Sequence, residues 1–265
     1  MGLNLGRGFT PYLGKVIEKM PVIKLAGEIP VSVDLVLQMQ FEHPETWGSI
    51  CIFTGDAILT GTDGDGVIDT GSALLYSVNE QSRLQNGGLV LEDAQYEAIR
   101  YSGRGVLLSA AELAKAHEKG YVRKNGVWQP ENSTVGYVWE VLTNGRDLKN
   151  HAAFASQRSH DAEKVMCLSF DQGQRRQATL RACLVYFLNS RSCLYGHNGL
   201  GSIPGHLVGV APGALEQARS VARDQAQLRT RLEKGLEQYV ARPHIPAAVD
   251  YVVREAVQFA AGSSK

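Results

Sequence analysis

The 265-residue sequence has no excess of either charge, because 27 lysine and arginine residues balance 27 aspartate and glutamate residues. Proteins that bind duplex nucleic acid through many phosphates usually carry an excess of basic residues, so the balance disfavours nucleic acid as a partner. The sequence also lacks an apolar run of about 18 residues, the length that a membrane-spanning helix needs. Its N-terminal stretch lacks the apolar core of a secretory signal. We therefore expect a soluble, cytoplasmic protein with no membrane partner.

Cysteine is scarce and scattered, and no CxxC pair occurs among Cys51, Cys167, Cys183 and Cys193. Closely spaced cysteines are the usual signature of zinc and redox sites. Three of the four lie in strongly apolar stretches, which favours buried thiols. The sequence also contains no Walker loop, no GxSxG and no GxGxxG after a strand. It therefore predicts no cofactor and no metal site.

The most regular pattern covers residues 31–41, where apolar and polar side chains alternate. Alternation with a period of two is typical of a strand with one buried face. A sheet with one wetter face favours antiparallel over parallel pairing. The residues predicted to face the core are Val33, Leu35, Leu37, Met39 and Phe41.

Local signals predict several short elements around this strand. Thr10 and Pro11 resemble the start of a helix, with Thr10 as its cap. Ser109 and Glu112 have the spacing of a capping box, which predicts a helix from residue 109 to about 119. The Asn125-Gly126 pair predicts a two-residue hairpin turn. Residues 176–190 fit a helix and a strand equally well. Together these signals indicate an α+β protein, with a mainly antiparallel sheet and flanking short helices.

The last fifty residues have a different character. Residues 215–241 place apolar side chains, including Leu228, Leu232 and Leu236, in one helical stripe, and residues 245–260 form a second stripe. The sequence therefore predicts an α+β domain over residues 1–213 and a C-terminal helical hairpin over residues 214–265. Because such stripes have to be covered, we expect the hairpin to pack on the domain or on a protein partner, including a second copy of the chain.

The sharpest short motif is Asp-Thr-Gly-Ser at residues 69–72, directly after the apolar pair Val67-Ile68. This motif resembles the active-site loop of aspartic peptidases, in which paired aspartates share a proton and activate water. The resemblance implies a catalytic Asp69, with Thr70 and Gly71 completing the loop. No second such motif occurs in the chain, so a homodimer would have to supply the other aspartate, as in single-lobe peptidases. Ordinary turn and capping chemistry also accounts for these residues.

The spacing of Asp63, Asp65 and Asp69 resembles part of a calcium-binding loop. Ser72 stands where an EF-hand loop has a bidentate glutamate, and Gly61 stands where the loop has its first acidic ligand. A solvated turn is therefore the favoured interpretation.

The sequence leaves three functions open. The first is a non-catalytic binding or assembly protein, with the sheet as scaffold. The second is a hydrolase with Asp69 in a dyad formed across a dimer. The third is nucleic-acid binding through the arginine residues of the C-terminal helix, which are interspersed with acidic residues. Those arginines are Arg219, Arg223, Arg229 and Arg231.

Overall fold

The computed structural model describes residues 8–102, 105–146, 148–159, 163–171, 176–188, 193–201 and 204–214. Backbone proximity divides the chain into two units, Met1–Ala211 and Pro212–Lys265. The described residues lie almost entirely in the first unit. Residues 215–265 lie outside the described residues. They include nearly all of the predicted helical hairpin and the four arginines named in its first helix, so the hairpin stays a prediction.

The described residues form an α+β fold, as the sequence predicts. The helices are α1 (Val16–Leu25), α2 (Val33–Glu42), α3 (Pro44–Trp47), α4 (Ala73–Tyr76), α5 (Asp93–Arg100), α6 (Ala110–Ala116), α7 (Ser133–Leu142) and α8 (Lys149–Arg158). The strands are β1 (Phe9–Gly14), β2 (Ile29–Pro30), β3 (Ile52–Thr60), β4 (Gly66–Asp69), β5 (Leu84–Gln85), β6 (Gly88–Val90), β7 (Val106–Leu108), β8 (Tyr121–Lys124), β9 (Val127–Pro130), β10 (Lys164–Val165), β11 (Leu168–Phe170), β12 (Thr179–Val185), β13 (Leu194–Gly196) and β14 (Gly205–Val210). No helix among them is both long and apolar enough to span a bilayer.

One mixed sheet organises the first unit. Its main path runs β1, β14, β3, β12, β13, β11, with shorter strands pairing beside this path. Most pairs are antiparallel, but β14 pairs with β3 and β11 pairs with β13 in parallel. Within the described ranges, β10, β8 and β9 form a separate antiparallel sheet. The sheet is therefore mainly antiparallel, which agrees with the prediction.

The core lies around the two central strands, β3 and β12. Every residue of both strands is buried. On one face of the sheet, Phe53 of β3 and Leu180 of β12 belong to a continuous apolar cluster that α1 covers with Val16, Met20 and Ile23. Burial of an apolar side chain contributes roughly 1.5–3 kcal/mol, so this cluster fixes the sheet that carries the candidate site.

The predicted strand over residues 31–41 is wrong, because Val33–Glu42 is helix α2. Ser32 caps this helix and accepts a hydrogen bond from the Leu35 N–H. Most of the helix is buried, including Gln38 and Gln40, so its polar residues do not mark a solvent face. Gln40 donates instead to the Tyr186 carbonyl. A helix buried on nearly all sides shows no clear 3.6-residue period, and its composition then resembles that of a strand.

The predicted helix start at Thr10 and Pro11 is also wrong. Both residues lie in β1, and the helix that follows begins at Val16 and contains Pro21. β1 pairs with β14, so a partner about 200 residues away decides the local structure. Among the described strands, β1 lies at the edge of the sheet, where proline is tolerated.

Two local predictions are confirmed, and one ambiguity is decided. Ser109 and Glu112 form a reciprocal capping box at the start of α6. Asn125 and Gly126 have φ of 52° and 81° and join β8 to β9. Residues 179–185 of the ambiguous segment form strand β12.

Candidate functional site

The Asp-Thr-Gly-Ser motif lies where β4 passes into α4. Asp69 is the last residue of β4 and is nearly buried, whereas Thr70 is exposed. Gly71 has a φ of 61°, a left-handed conformation that favours glycine. Ser72 caps α4 by accepting a hydrogen bond from the Leu75 N–H. The local contacts of the motif are therefore those of a strand-to-helix turn.

A second carboxylate, Asp56 of β3, holds this turn in place. Asp56 is fully buried and accepts hydrogen bonds from the Val33 N–H at 2.6 Å and the Gly71 N–H at 2.8 Å. One side chain thus fixes both the start of α2 and the turn after β4. Burial raises the pKa of Asp56 to about 6, and the nearby Asp34 and Asp69 carboxylates add to that increase.

The carboxylates of Asp63, Asp65 and Asp69, whose spacing resembles part of a calcium-binding loop, do not converge on one point. Asp65 lies 3.5 Å from the Arg100 guanidinium, while Asp63 is exposed in the preceding turn. Asp65 directly precedes β4 and Asp69 ends it, so the two residues are about 13 Å apart at the usual rise of a strand. Across the part of the chain that the structure describes, no three His, Cys, Asp or Glu side chains are grouped so that they could hold a metal ion.

A partly exposed row of rings and polar groups lies at the end of the sheet formed by β11, β12 and β13. The Tyr186 ring lies 3.9 Å from the Phe187 ring and 5.2 Å from the Tyr195 ring, between centroids. The Tyr195 ring lies 5.2 Å from the His197 ring in an edge-to-face arrangement. We call this surface the aromatic face, and it consists of Ser169, Tyr186, Phe187, Tyr195 and His197.

The aromatic face rests on a rigid base. Tyr186 and Tyr195 pack against the apolar cluster that α1 covers. Behind His197, the buried Arg181 donates to the carbonyls of His197 at 2.9 Å and Asn86 at 2.7 Å. Its guanidinium also lies 3.0 Å from the Asp171 carboxylate. Since charge-assisted bonds from arginine fix planar groups firmly, this arrangement orients the chain that carries His197.

The pair of Ser169 and His197 is the arrangement on this face that most resembles a nucleophile and its base. The His197 Nδ1 lies 3.2 Å from the Ser169 Oγ and 3.3 Å from the Ser169 carbonyl oxygen. If Nδ1 carries the proton, it donates to the carbonyl and cannot accept the hydroxyl proton that a base would remove. The carbonyl contact therefore favours a positioned polar pair over an activated serine.

The sequence did not indicate this face, although part of its signal is visible. Tyr186-Phe187 and Tyr195 with His197 form two clusters rich in aromatic residues in neighbouring segments. Their juxtaposition depends on the pairing of Leu184 with Tyr195 between β12 and β13. No local motif encodes that pairing. The structure does not place Asp69, Thr70 or Gly71 among the residues of the aromatic face.

Comparison with known proteins yields a likeness in structure alone. No protein-family model matches the chain, and no curated protein matches it. The chain is similar to a solved structure from a study of how the C-type lectin fold accommodates massive sequence variation in Nanoarchaeota. The two share 11% sequence identity with a TM-score of 0.57, over 78% of this chain and 99% of the other. The described unit therefore has the α+β architecture of a C-type lectin fold.

Proposed function

We propose that the chain is a non-catalytic binding protein whose ligand is another protein, held on the aromatic face. The observation that carries the proposal is the continuous row of Phe187, Tyr186, Tyr195 and His197, with ring centroids 3.9–5.2 Å apart. Tyrosine and phenylalanine are enriched at protein interfaces, where they supply large contact areas with few rotatable bonds.

The base of the face supports this proposal. Because Arg181 fixes the backbone at His197 and the apolar cluster fixes Tyr186 and Tyr195, the rings are already ordered before a ligand arrives. A preorganised surface loses less side-chain entropy on binding than a mobile one. The structural neighbour adds a further point, because its fold is described as accommodating massive sequence variation. A scaffold of that kind suits a surface whose side chains determine which ligand binds.

The test combines ligand screening with matched variants. The purified chain is screened on arrays of immobilised proteins and of glycans, and Kd is measured for each ligand found. We expect protein ligands, with affinity reduced about fivefold or more by Phe187→Ala and by His197→Ala, since central aromatic contacts commonly contribute more than about 1 kcal/mol. Tyr137→Ala is the matched control, because Tyr137 is 47% exposed on α7. The Kd of the Tyr137→Ala variant should differ from that of the wild type by less than twofold.

Two results would refute the proposal. Ligands found on the glycan array alone would exclude a protein ligand. Equal affinities for the wild type and for the Phe187 and His197 variants would exclude the aromatic face as the binding surface.

A hydrolase based on Asp69 is the second candidate, because the structure brings another carboxylate near it. Asp69 pairs with Ala57, the neighbour of Asp56 in β3, and the Asp69 carboxylate is near enough to add to the raised pKa of Asp56. The backbone N–H groups of Val33 and Gly71 donate hydrogen bonds to the two carboxylate oxygens of Asp56, which favours a structural role for Asp56. A peptidase assay at pH 4–6 decides this point: activity in the wild type that Asp69→Asn abolishes would support the hydrolase.

A further inference from the structure

Two of the four cysteines stand immediately before neighbouring parallel strands. All four are in the thiol form. Cys167 and Cys193 each directly precede the paired residues Leu168 and Leu194, which begin the parallel pair of β11 and β13. The Leu194 N–H donates to the Cys167 carbonyl at 2.8 Å, so the backbone of Cys167 takes part in this pairing.

The strand geometry places the two thiols within reach of each other. Neighbouring strands lie about 4.8 Å apart, and a disulfide requires Cα atoms about 4.4–6.8 Å apart. Because side chains alternate along a strand, Cys167 lies on the same face as Ser169, and Cys193 lies on the same face as Tyr195. Ser169 and Tyr195 are themselves directly paired. Both thiols therefore project from the same side of the sheet.

Tyr195 provides independent support for this placement. Its pKa is raised to about 12 by burial first, then by Cys193, which shares a side-chain hydrogen bond with it, and then by Tyr186 and Cys167. Both sulfur atoms therefore lie close to one phenol. Cys167 and Cys193 are also nearly buried, at 5% and 6% exposure.

The other two cysteines lack this geometry. Tyr186 donates its N–H to the Cys193 carbonyl and thus occupies the position on β12 beside Cys193. Cys51 directly precedes Ile52, which pairs with Val185, so Cys51 lies on the far side of Tyr186. Two strand spacings, about 9.5 Å, separate it from Cys193, beyond the reach of a disulfide.

Cys183 is excluded as a disulfide partner of Cys167 or Cys193 for a different reason. It precedes Leu184, which pairs with Tyr195, so alternation directs the Cys183 side chain to the opposite face of the sheet. Burial also raises its pKa well above the ordinary value, which disfavours the reactive thiolate.

We propose that Cys167 and Cys193 form a reversible disulfide that fastens β11 to β13 beneath the aromatic face. The oxidant is a small-molecule disulfide such as oxidised glutathione. The thiolate of one cysteine attacks the glutathione disulfide and releases one glutathione thiol, leaving a mixed disulfide. The second cysteine then attacks that bond and releases the other glutathione. The protein loses two hydrogen atoms and gains one S–S bond, and one glutathione disulfide becomes two thiols.

The modification has a local consequence that does not depend on the proposed function. Oxidation removes the Cys193 S–H and changes the group that hydrogen-bonds the Tyr195 hydroxyl. The near-UV signal of Tyr195 should therefore report the state of the pair. The bond also joins two segments separated by all of β12, and closing such a loop restricts the unfolded chain, so the oxidised protein should melt several degrees higher than the reduced protein.

The experiment uses the folded, fully reduced protein incubated with oxidised glutathione without denaturant. We expect the intact mass to fall by two hydrogen atoms, and peptide mapping to find one linkage, between Cys167 and Cys193. Cys51→Ser is the matched control and should oxidise like the wild type. Cys167→Ala and Cys193→Ala should each fail to form an intramolecular disulfide. Addition of dithiothreitol should restore the original mass and near-UV spectrum.

Three outcomes would overturn the proposal. The first is a folded wild type that keeps all four thiols while the same glutathione buffer oxidises it after unfolding in urea. The second is a linkage that maps to Cys51 or Cys183. The third is formation of an intramolecular disulfide in the Cys167→Ala variant at the rate of the wild type.

Discussion

Replacement of Asp56 by asparagine should change the way in which stability depends on pH. Asp56 is fully buried, and burial raises its pKa from 3.8 to about 6. A raised carboxyl pKa means that the native state binds the proton more tightly than the unfolded state. The stabilisation that Asp56 contributes through its raised pKa is therefore fully present below pH 3.8, and it is lost as the pH rises to about 6. The difference corresponds to about 3 kcal/mol.

Asparagine keeps the shape of the side chain but does not titrate. It offers one acceptor oxygen where Asp56 serves the N–H groups of Val33 and Gly71, so one buried donor loses its partner. This loss adds a cost of about 1–3 kcal/mol at every pH. The pH-dependent part of the stability difference can be separated by subtraction, because titrating groups distant from Asp56 contribute equally to both proteins.

The assay is urea unfolding of both proteins at several values between pH 4 and pH 8. The free energy of unfolding of the wild type minus that of the variant should fall by about 2.4 kcal/mol from pH 4 to pH 7, since part of the full difference is already lost at pH 4. Asp63→Asn, in an exposed turn, is the control and should give a flat difference. A constant difference for Asp56→Asn would refute the reasoning. It would show that the two amide hydrogen bonds outweigh burial and keep the carboxylate ionised at pH 4.

Two further substitutions test other buried groups. Burial and the nearby Arg146 lower the pKa of His151 to about 3, so stability is lost as the pH falls from 6.5 towards 3, by up to about 5 kcal/mol. His151→Phe should therefore lower the pH midpoint of acid unfolding followed by circular dichroism, and an unchanged midpoint would contradict this. Arg181→Lys should lower the free energy of unfolding by about 3 kcal/mol, because lysine cannot serve the carbonyls of His197 and Asn86 and the Asp171 carboxylate together. A loss below about 1 kcal/mol in urea unfolding would show that the guanidinium geometry is not required.

The sequence predicted best those elements whose cause is local. The capping box of Ser109 and Glu112 and the hairpin turn at Asn125 are each completed by residues within a few positions. Tertiary packing decides the elements that were predicted wrongly. Val33–Glu42 alternates like a strand, yet its N-terminal N–H binds Asp56 and Ser32 caps it as a helix. Pairing with β14 likewise overrides the helix signal of Thr10 and Pro11.

The candidate site was harder to predict than the fold class, for a related reason. Its residues lie in, or directly after, the three strands β11, β12 and β13, and only the register of β12 and β13 brings Tyr186 beside Tyr195. The one motif that the sequence offered, at Asp69, lies elsewhere, in a turn held by Asp56. Asp56 itself sits in the buried strand β3 without any local signature. Only its hydrogen bonds to two distant amides reveal its role.

The pairing of β1 with β14 has a consequence for synthesis and for engineering. Phe9 lies opposite Val210, so the two ends of the described unit meet at one edge of the sheet. During translation β1 leaves the ribosome first and stays without its partner until residues 205–210 have followed, so the unit closes only when its synthesis is almost complete. The same proximity means that a short linker from residue 210 to residue 9 would permit circular permutation. The closeness of these two ends also makes the unit suitable for insertion into a surface loop of a host protein, since the two host attachment points need to be only one strand spacing apart.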